Sequence, residues 1–345
     1  MTAAAPLAGV RIVEFEGIGP GPLAGRMLAG MGASVTLVAR PRAGGVFERL
    51  REGGHGELER GKARVELDLK TDAGRLAALN LVAAADASIE GLRPGVMERL
   101  GLGPADCARR NPRLVYGRMT GWGQSGPLAH APGHDLNYVA LTGILSLSAR
   151  PGLPPIVPPT VVGDASGALG LSFGIACALL QARSTGRGCV VDAAIVDIVA
   201  MLGTLAQWAC AGGLLAGGQP SLFHDSPFYD VYACLDGQCI TLGAIEPAFY
   251  AELLARLGLD DVDPKQQFDR STWPALKQRI RDRIGQRSRD DWCRELGGTE
   301  VCFAPVLSMA EAAVHPHNAH RANHVASGGH YFGAVAPRFA PLQPD

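Results

Sequence analysis

Charge of one sign, paired cysteines and long unbroken apolar runs are all missing from this chain of 345 residues, and each absence removes a class of protein. Lysine and arginine total 32 against 33 acidic residues, giving a net charge of −1. Bulk charge therefore draws the chain neither to nucleic acid nor to an anionic membrane, and neither is expected as a partner. The cysteines, Cys107, Cys177, Cys189, Cys210, Cys234, Cys239, Cys293 and Cys302, never fall in the C-x-x-C spacing of a zinc or redox site, so buried free thiols are expected. No run of about 18 uninterrupted apolar residues occurs. The apolar stretch from Val161 to Leu180 carries Asp164 and Ser166, and that from Val191 to Leu215 carries Asp192 and Asp197. Both are read as core helices. The opening segment MTAAAPLAGVRIVEF lacks the basic start and apolar stretch of a secretory signal, which sets a cytoplasmic expectation.

What is present is enough for two lobes, since a chain of this length with 47% hydrophobic residues exceeds one compact core. VRIVEF (10–15) reads as a strand, GIGPGP as a loop, PLAGRMLAGM as a helix and SVTLV (34–38) as a second strand. Further strands are expected at 64–70, 87–92 and 113–119, with an amphipathic helix around Ala73–Ala85. A Rossmann-like parallel sheet is the natural arrangement. Near Asp230 the texture changes: VYAC, an Asp236-Gly237 turn and QCITLGAI predict a hairpin, followed by charged helices and a return strand at 301–307. Ser308-x-x-Glu311 then opens a short helix as a capping box. The division is a large α/β domain over 1–200, a linker over 201–228, a small α+β domain over 229–307 and a segment over 308–345 returning to the large domain.

Three motifs carry chemistry. Gly17-Ile18-Gly19-Pro20-Gly21-Pro22 lies where a dinucleotide fingerprint would, but position 22 is Pro instead of the third glycine. The second strand ends in Ala39-Arg40, without the acidic residue that binds a ribose, so a dehydrogenase is disfavoured. Arg40 suits a ribose phosphate or a surface carboxylate equally. In Gly133-His134-Asp135-Leu136-Asn137-Tyr138, Asp135 is a candidate N-cap, with His134 either structural or a neutral base at a helix start. In Val161-Val162-Gly163-Asp164-Ala165-Ser166-Gly167, Asp164 opens a long helix, as a cap or as the acid of an acid–base pair with His134.

These segments, with RGKARVELDLK (60–70), RPGVMERLGLGP (93–104), RMTGWGQSGP (118–127), GAIEPAFY (243–250) and CFAPVLSMAEAAVHPHN (302–318), carry a resemblance over nearly the whole chain. It resembles the α-methylacyl-CoA racemases, within the family III CoA-transferase superfamily. The resemblance implies the family III CoA-transferase fold, an obligate interlocked homodimer and 1,1-proton transfer on a 2-methylacyl-CoA thioester. It implies no metal and no redox cofactor, coenzyme A being part of the substrate. His134 and Asp164 match the catalytic acid–base pair, and Glu246 matches a carboxylate partner of the catalytic aspartate, supplied across the dimer. Arg40 matches a contact to the CoA nucleotide, Glu66, Leu67, Asp68 and Leu69 the strand lining the adenosine, and Gly133 to Tyr138 the stretch holding pantetheine and thioester. Arg93 and the run Arg60, Lys62, Arg64 are further phosphate candidates.

Two departures stand out. Thr160 replaces the usual Asn four residues before the aspartate, and Leu222-Phe223-His224-Asp225-Ser226 is bulkier and more polar than the family's run beside the acyl chain. His315, His317, His320 and His324 form a competing metal candidate, weakened by the absence of nearby Cys or acidic ligands. A CoA-transferase using Asp164 as a covalent carrier and a non-catalytic acyl-CoA binder are the alternative functions.

Overall fold

Short, nearly continuous β-rich apolar runs build a central sheet buried on both faces. The computed structural model describes residues 5–41 and 56–341. Six parallel strands, β1 (Arg11–Phe15), β2 (Ser34–Ala39), β3 (Lys62–Glu66), β4 (Ala87–Glu90), β5 (Val115–Thr120) and β6 (Val190–Ala194), lie in the order β3-β2-β1-β4-β5-β6. Successive side chains of a strand point to opposite faces. Ile12 therefore joins Ala24, Leu28, Leu171 and Ile175 on one side, while Val13 and Phe15 join Ala78, Val82, Met97 and Leu102 on the other. The strand order reverses between β1 and β4, and in such sheets the crevice at the carboxyl ends of the strands at that point is the habitual ligand site.

Two expectations for this sheet needed correction. The stretch from Val191, read as the start of a core helix, begins instead within the edge strand β6 (Val190–Ala194), and helix Ile195–Leu202 follows it. A continuous apolar run does not distinguish a strand from a buried helix. The strand expected over 64–70 ends at Glu66, and Thr71 then caps helix Asp72–Ala83 by accepting from the Gly74 N–H at 3.0 Å.

Helix Ser166–Thr185 packs Ala168, Leu171, Ile175 and Leu179 into the core but leaves Leu169, Phe173 and Leu180 exposed. With the preceding turn it is long and apolar enough, by length and composition, to cross a membrane. Expected as a core helix, it is one along a single face.

The chain divides into two compact units, residues 1–144, 158–203 and 313–345 in the first and 145–157 with 204–312 in the second. Residues 204–228, expected as a linker, thus belong to the second unit, together with 145–157 from what was expected to be the large domain. In the first unit, the C-terminal stretch forms a hairpin of β10 (His324–Ser327) and β11 (His330–Gly333), with the Gly333 carbonyl accepting from Arg26 Nη2 at 3.3 Å. In the second unit, β7 (Tyr229–Ala233), β8 (Cys239–Gly243) and β9 (Phe303–Pro305) form an antiparallel sheet in that order. Its core sets Phe228 edge-on against Tyr250 and Trp273. The Ser308–Glu311 capping box is present, with Glu311 Oε2 accepting from the Ser308 N–H at 2.8 Å.

Candidate active site

The glycine loop after β1 opens onto the crevice, and its second glycine, Gly19, lies against a carboxylate. Gly19 has φ 67°, in the left-handed region that favours glycine, and caps helix Pro20–Gly30. A methyl group placed there would stand 2.9 Å from Asp164 Oδ2. Asp164 is carried by a single π-helical turn, Val161–Ala165, that leads into helix Ser166–Thr185. It lies inside the first turn instead of capping the helix as expected. Single π turns recur at functional sites because they re-aim a side chain. Thr160, before that turn, is exposed and makes no side-chain capping bond.

His134 reaches the same place from another segment. It is itself the N-cap of helix Asp135–Leu141, and its N–H donates to Asn137 Oδ1 at 3.0 Å. Asp135, expected as that cap, sits one residue inside the helix. Its carboxylate turns to the neighbouring turn, where Oδ2 accepts from the Asp164 N–H at 2.6 Å. Burial raises the Asp164 carboxyl above the usual carboxylate range, the charge of Asp135 raises it further, and the nearby His134 pulls it partly back. A half-buried carboxyl with a raised proton affinity thus stands beside an exposed imidazole.

Glycines also let aromatic rings support this segment. The Tyr138 hydroxyl donates to the Gly133 carbonyl, and its ring meets Trp122 edge-on with centroids 4.7 Å apart. A side chain at Gly133 would collide with both rings. Burial and the charge of Asp164 raise the Tyr138 phenol, against the opposing influence of Arg93. Arg93, exposed after β4, is therefore within electrostatic reach of the same cluster. Leu136, in the first turn of helix Asp135–Leu141, is exposed. Sequence reasoning missed Gly19 and Trp122 as parts of the site. The GWG run after β5 was the available signal for Trp122.

The remaining sequence-derived positions are placed differently. Arg40 follows β2, and its backbone N–H and Nε both donate to Glu16 Oε2, at 3.1 and 2.9 Å. At the end of β3, Glu66 and Asp68 face outward whereas Leu67 and Leu69 are partly buried and pack against the core. Lys62, read as a phosphate candidate, is instead buried in an ion pair with Glu14 at 2.6 Å. Arg60 pairs with Glu57, and Arg64 with Glu59 and Glu66. Glu246 belongs to the second unit, exposed at the start of helix Pro247–Arg256.

The segment expected to border the acyl chain is anchored within that unit. Phe223 packs edge-on against Tyr229, His224 Nε2 lies 2.8 Å from the Ala149 carbonyl, and Asp225 pairs with Arg150 at 2.8 Å and with Lys277. Among the described residues no three His, Cys, Asp or Glu side chains gather as a metal site. His324 Nδ1 lies 2.6 Å from Asn323 Oδ1.

Comparison with known proteins agrees with this architecture. Alpha-methylacyl-CoA racemase of Mus musculus is 39% identical over 339 residues, covering 97% of this chain and 86% of that protein, and the Homo sapiens protein of the same name is 38% identical with the same coverage. Acetyl-CoA:oxalate CoA-transferase of Acetobacter aceti is 30% identical, covering 94% of this chain and 86% of its own. A crystal structure of a CAIB/BAIF family protein from Brucella suis superposes with a TM-score of 0.83 at 26% identity, over 97% of this chain and 93% of that one. The model of CoA-transferase family III matches residues 7–340, and with the six-stranded parallel sheet and these relatives in place, the chain belongs to that family.

Proposed function

We propose that the protein is an isomerase that interconverts (2R)- and (2S)-2-methylacyl-CoA thioesters, in the metabolism of branched fatty acyl groups. The observation that carries this reading is the pairing of His134 with a half-buried Asp164, whose amide is tied by a hydrogen bond to the carboxylate of the residue next to His134. Inverting a carbon by proton transfer needs a base on one face and a proton donor on the other, with an enolate between them. For one epimer His134 takes the α-proton and protonated Asp164 returns one. For the other the roles exchange.

The α-hydrogen of a thioester is a weak acid, so most of the barrier is lowered by donors facing the developing oxyanion. The backbone amides of His134 and Asp164 are already engaged, by Asn137 and Asp135. The Asn137 and Tyr138 amides donate to the His134 carbonyl, so the role is assigned to the Asp135 and Leu136 amides at the start of helix Asp135–Leu141. Exposed Ile18, Leu136 and Val161 lie close in sequence to Gly19, His134 and Asp164, which suits an apolar acyl group.

Arg40 and Arg93 serve the CoA phosphates, Glu66 to Leu69 the adenosine, and Gly133 to Tyr138 the pantetheine. Glu246 as partner of Asp164 rests on the resemblance and belongs with a homodimer. The exposed Leu169, Phe173, Leu180, Met201 and Leu202 favour such an assembly. A cytoplasmic setting completes the reading.

The test is to incubate the protein with a 2-methylacyl-CoA in deuterium oxide and follow the α-position. Exchange and epimerisation are expected, and both are lost in His134→Ala and in Asp164→Ala. Exchange that survives both substitutions refutes the mechanism. The family also contains transferases. Covalent trapping at Asp164 by hydroxylamine, with an absolute need for a second acid, would assign the protein to that activity instead.

A further inference from the structure

We propose that the Asp135 carboxylate is a positioning residue that fixes Asp164 relative to His134, by joining the turn that carries one to the helix that carries the other. This rests on the acid–base reading above and deepens it. His134 and Asp135 are consecutive, and Asp135 Oδ2 accepts from the Asp164 N–H at 2.6 Å. The two reacting groups are thus linked by one peptide unit and one charge-assisted hydrogen bond between residues 29 apart in the chain.

The surrounding residues are shaped for this tie. Asp164 lies in the first turn of its helical run, where backbone N–H groups have no intrahelical acceptor, so Asp135 fills a place that a local capping residue would otherwise fill. The Thr160 side chain, next to the turn in sequence, does not cap it. Gly163 is buried directly against the Asp135 carboxylate, and any side chain at that position would displace it. The helix end that Asp135 would be expected to cap is closed by Asn137 instead, which leaves the carboxylate available to Asp164. The charge of Asp135 also favours a protonated Asp164 carboxyl.

A misplacement of about 1 Å at reacting groups can cost about 100-fold in rate, and this sets the scale of the expected effect. The experiment compares Asp135→Ala and Asp135→Asn with the parent protein in two ways. Hydrogen exchange of the ligand-free protein over the peptide 161–166 reads the tie without reference to activity. Protection of that peptide should fall in Asp135→Ala and return in Asp135→Asn, which keeps an acceptor oxygen.

Turnover of a 2-methylacyl-CoA should show kcat reduced about 10- to 100-fold in Asp135→Ala with KM changed less than about threefold. Asp135→Asn should recover about tenfold of that loss. Unchanged protection in Asp135→Ala, or a loss confined to KM, or equal losses of kcat in the two variants, overturns the inference. Absence of turnover in the parent protein would refute the racemase reading, while the exchange comparison would still decide whether the tie exists.

Discussion

Replacing Lys62 with methionine separates a buried structural cation from a ligand-binding one. The Lys62 and Glu14 side chains are each 1% exposed. Nζ donates to Glu14 Oε1 at 2.7 Å, to Oε2 at 2.6 Å and to the Pro22 carbonyl at 2.8 Å, so all three ammonium protons have acceptors. Gly25 of helix Pro20–Gly30 leaves room for the pair, since any side chain there would strike Glu14. Burial already pushes the Glu14 carboxyl up to about 7 in the presence of its cation, and burial lowers the Lys62 ammonium.

Methionine fills similar space but leaves Glu14 uncompensated, a change that costs about 3–5 kcal/mol. Glu14→Gln combined with Lys62→Met removes both charges and should restore stability to within about 1.5 kcal/mol of the parent. Urea denaturation followed by circular dichroism gives the stabilities, and calorimetric titration with coenzyme A reads the ligand affinity of the folded variants. A loss below about 1 kcal/mol, the scale of an exposed ion pair, accompanied by at least tenfold weaker CoA binding would refute the reasoning. It would return Lys62 to the phosphate contacts.

Two further outcomes follow from the site. The Asp164 carboxyl is raised in the folded protein, so its contribution to stability is full below the unfolded value of about 3.9 and is lost as pH rises through the folded value. Asp164→Asn should therefore gain thermal stability over the parent as pH rises from 3.5 to neutrality while losing turnover, and a gap that narrows with rising pH contradicts this. Gly19→Ala forces a side chain into positive-φ backbone at a cost of about 1–3 kcal/mol and sets a methyl group 2.9 Å from Asp164 Oδ2. Its kcat should fall further than its melting temperature alone explains, and full activity in a merely destabilised protein would show that Gly19 does not shape the site.

Much of the architecture was legible because it is written in local patterns. Short β-rich runs gave β1, β2 and β5, and the Asp236-Gly237 turn gave the β7–β8 hairpin, with Gly237 at φ 75° as such a turn requires. The edge strand β6 was not legible, because Val190 to Leu202 is apolar apart from Asp192 and Asp197 and its division into strand and helix is settled by pairing with β5. Lys62 shows the same limit for charge. A basic residue among Arg60 and Arg64 looks solvent-facing in sequence, and only the register of β3 against β2 and β1 turns it towards Glu14, 48 residues away.

The sequence by itself determined which groups are present: an imidazole and a carboxyl each next to a helix start, glycines where backbone or side chains must approach closely, and family motifs along nearly the full length. Tertiary structure alone decided their partners. It put Asp164 against Gly19 and Asp135 against the Asp164 amide, and it made the long apolar helix a core element on one face only. The physical reason is that propensity and patterning act over a few residues. The proton affinity of a carboxyl and the aim of a side chain depend instead on burial and on charges brought close from distant parts of the chain.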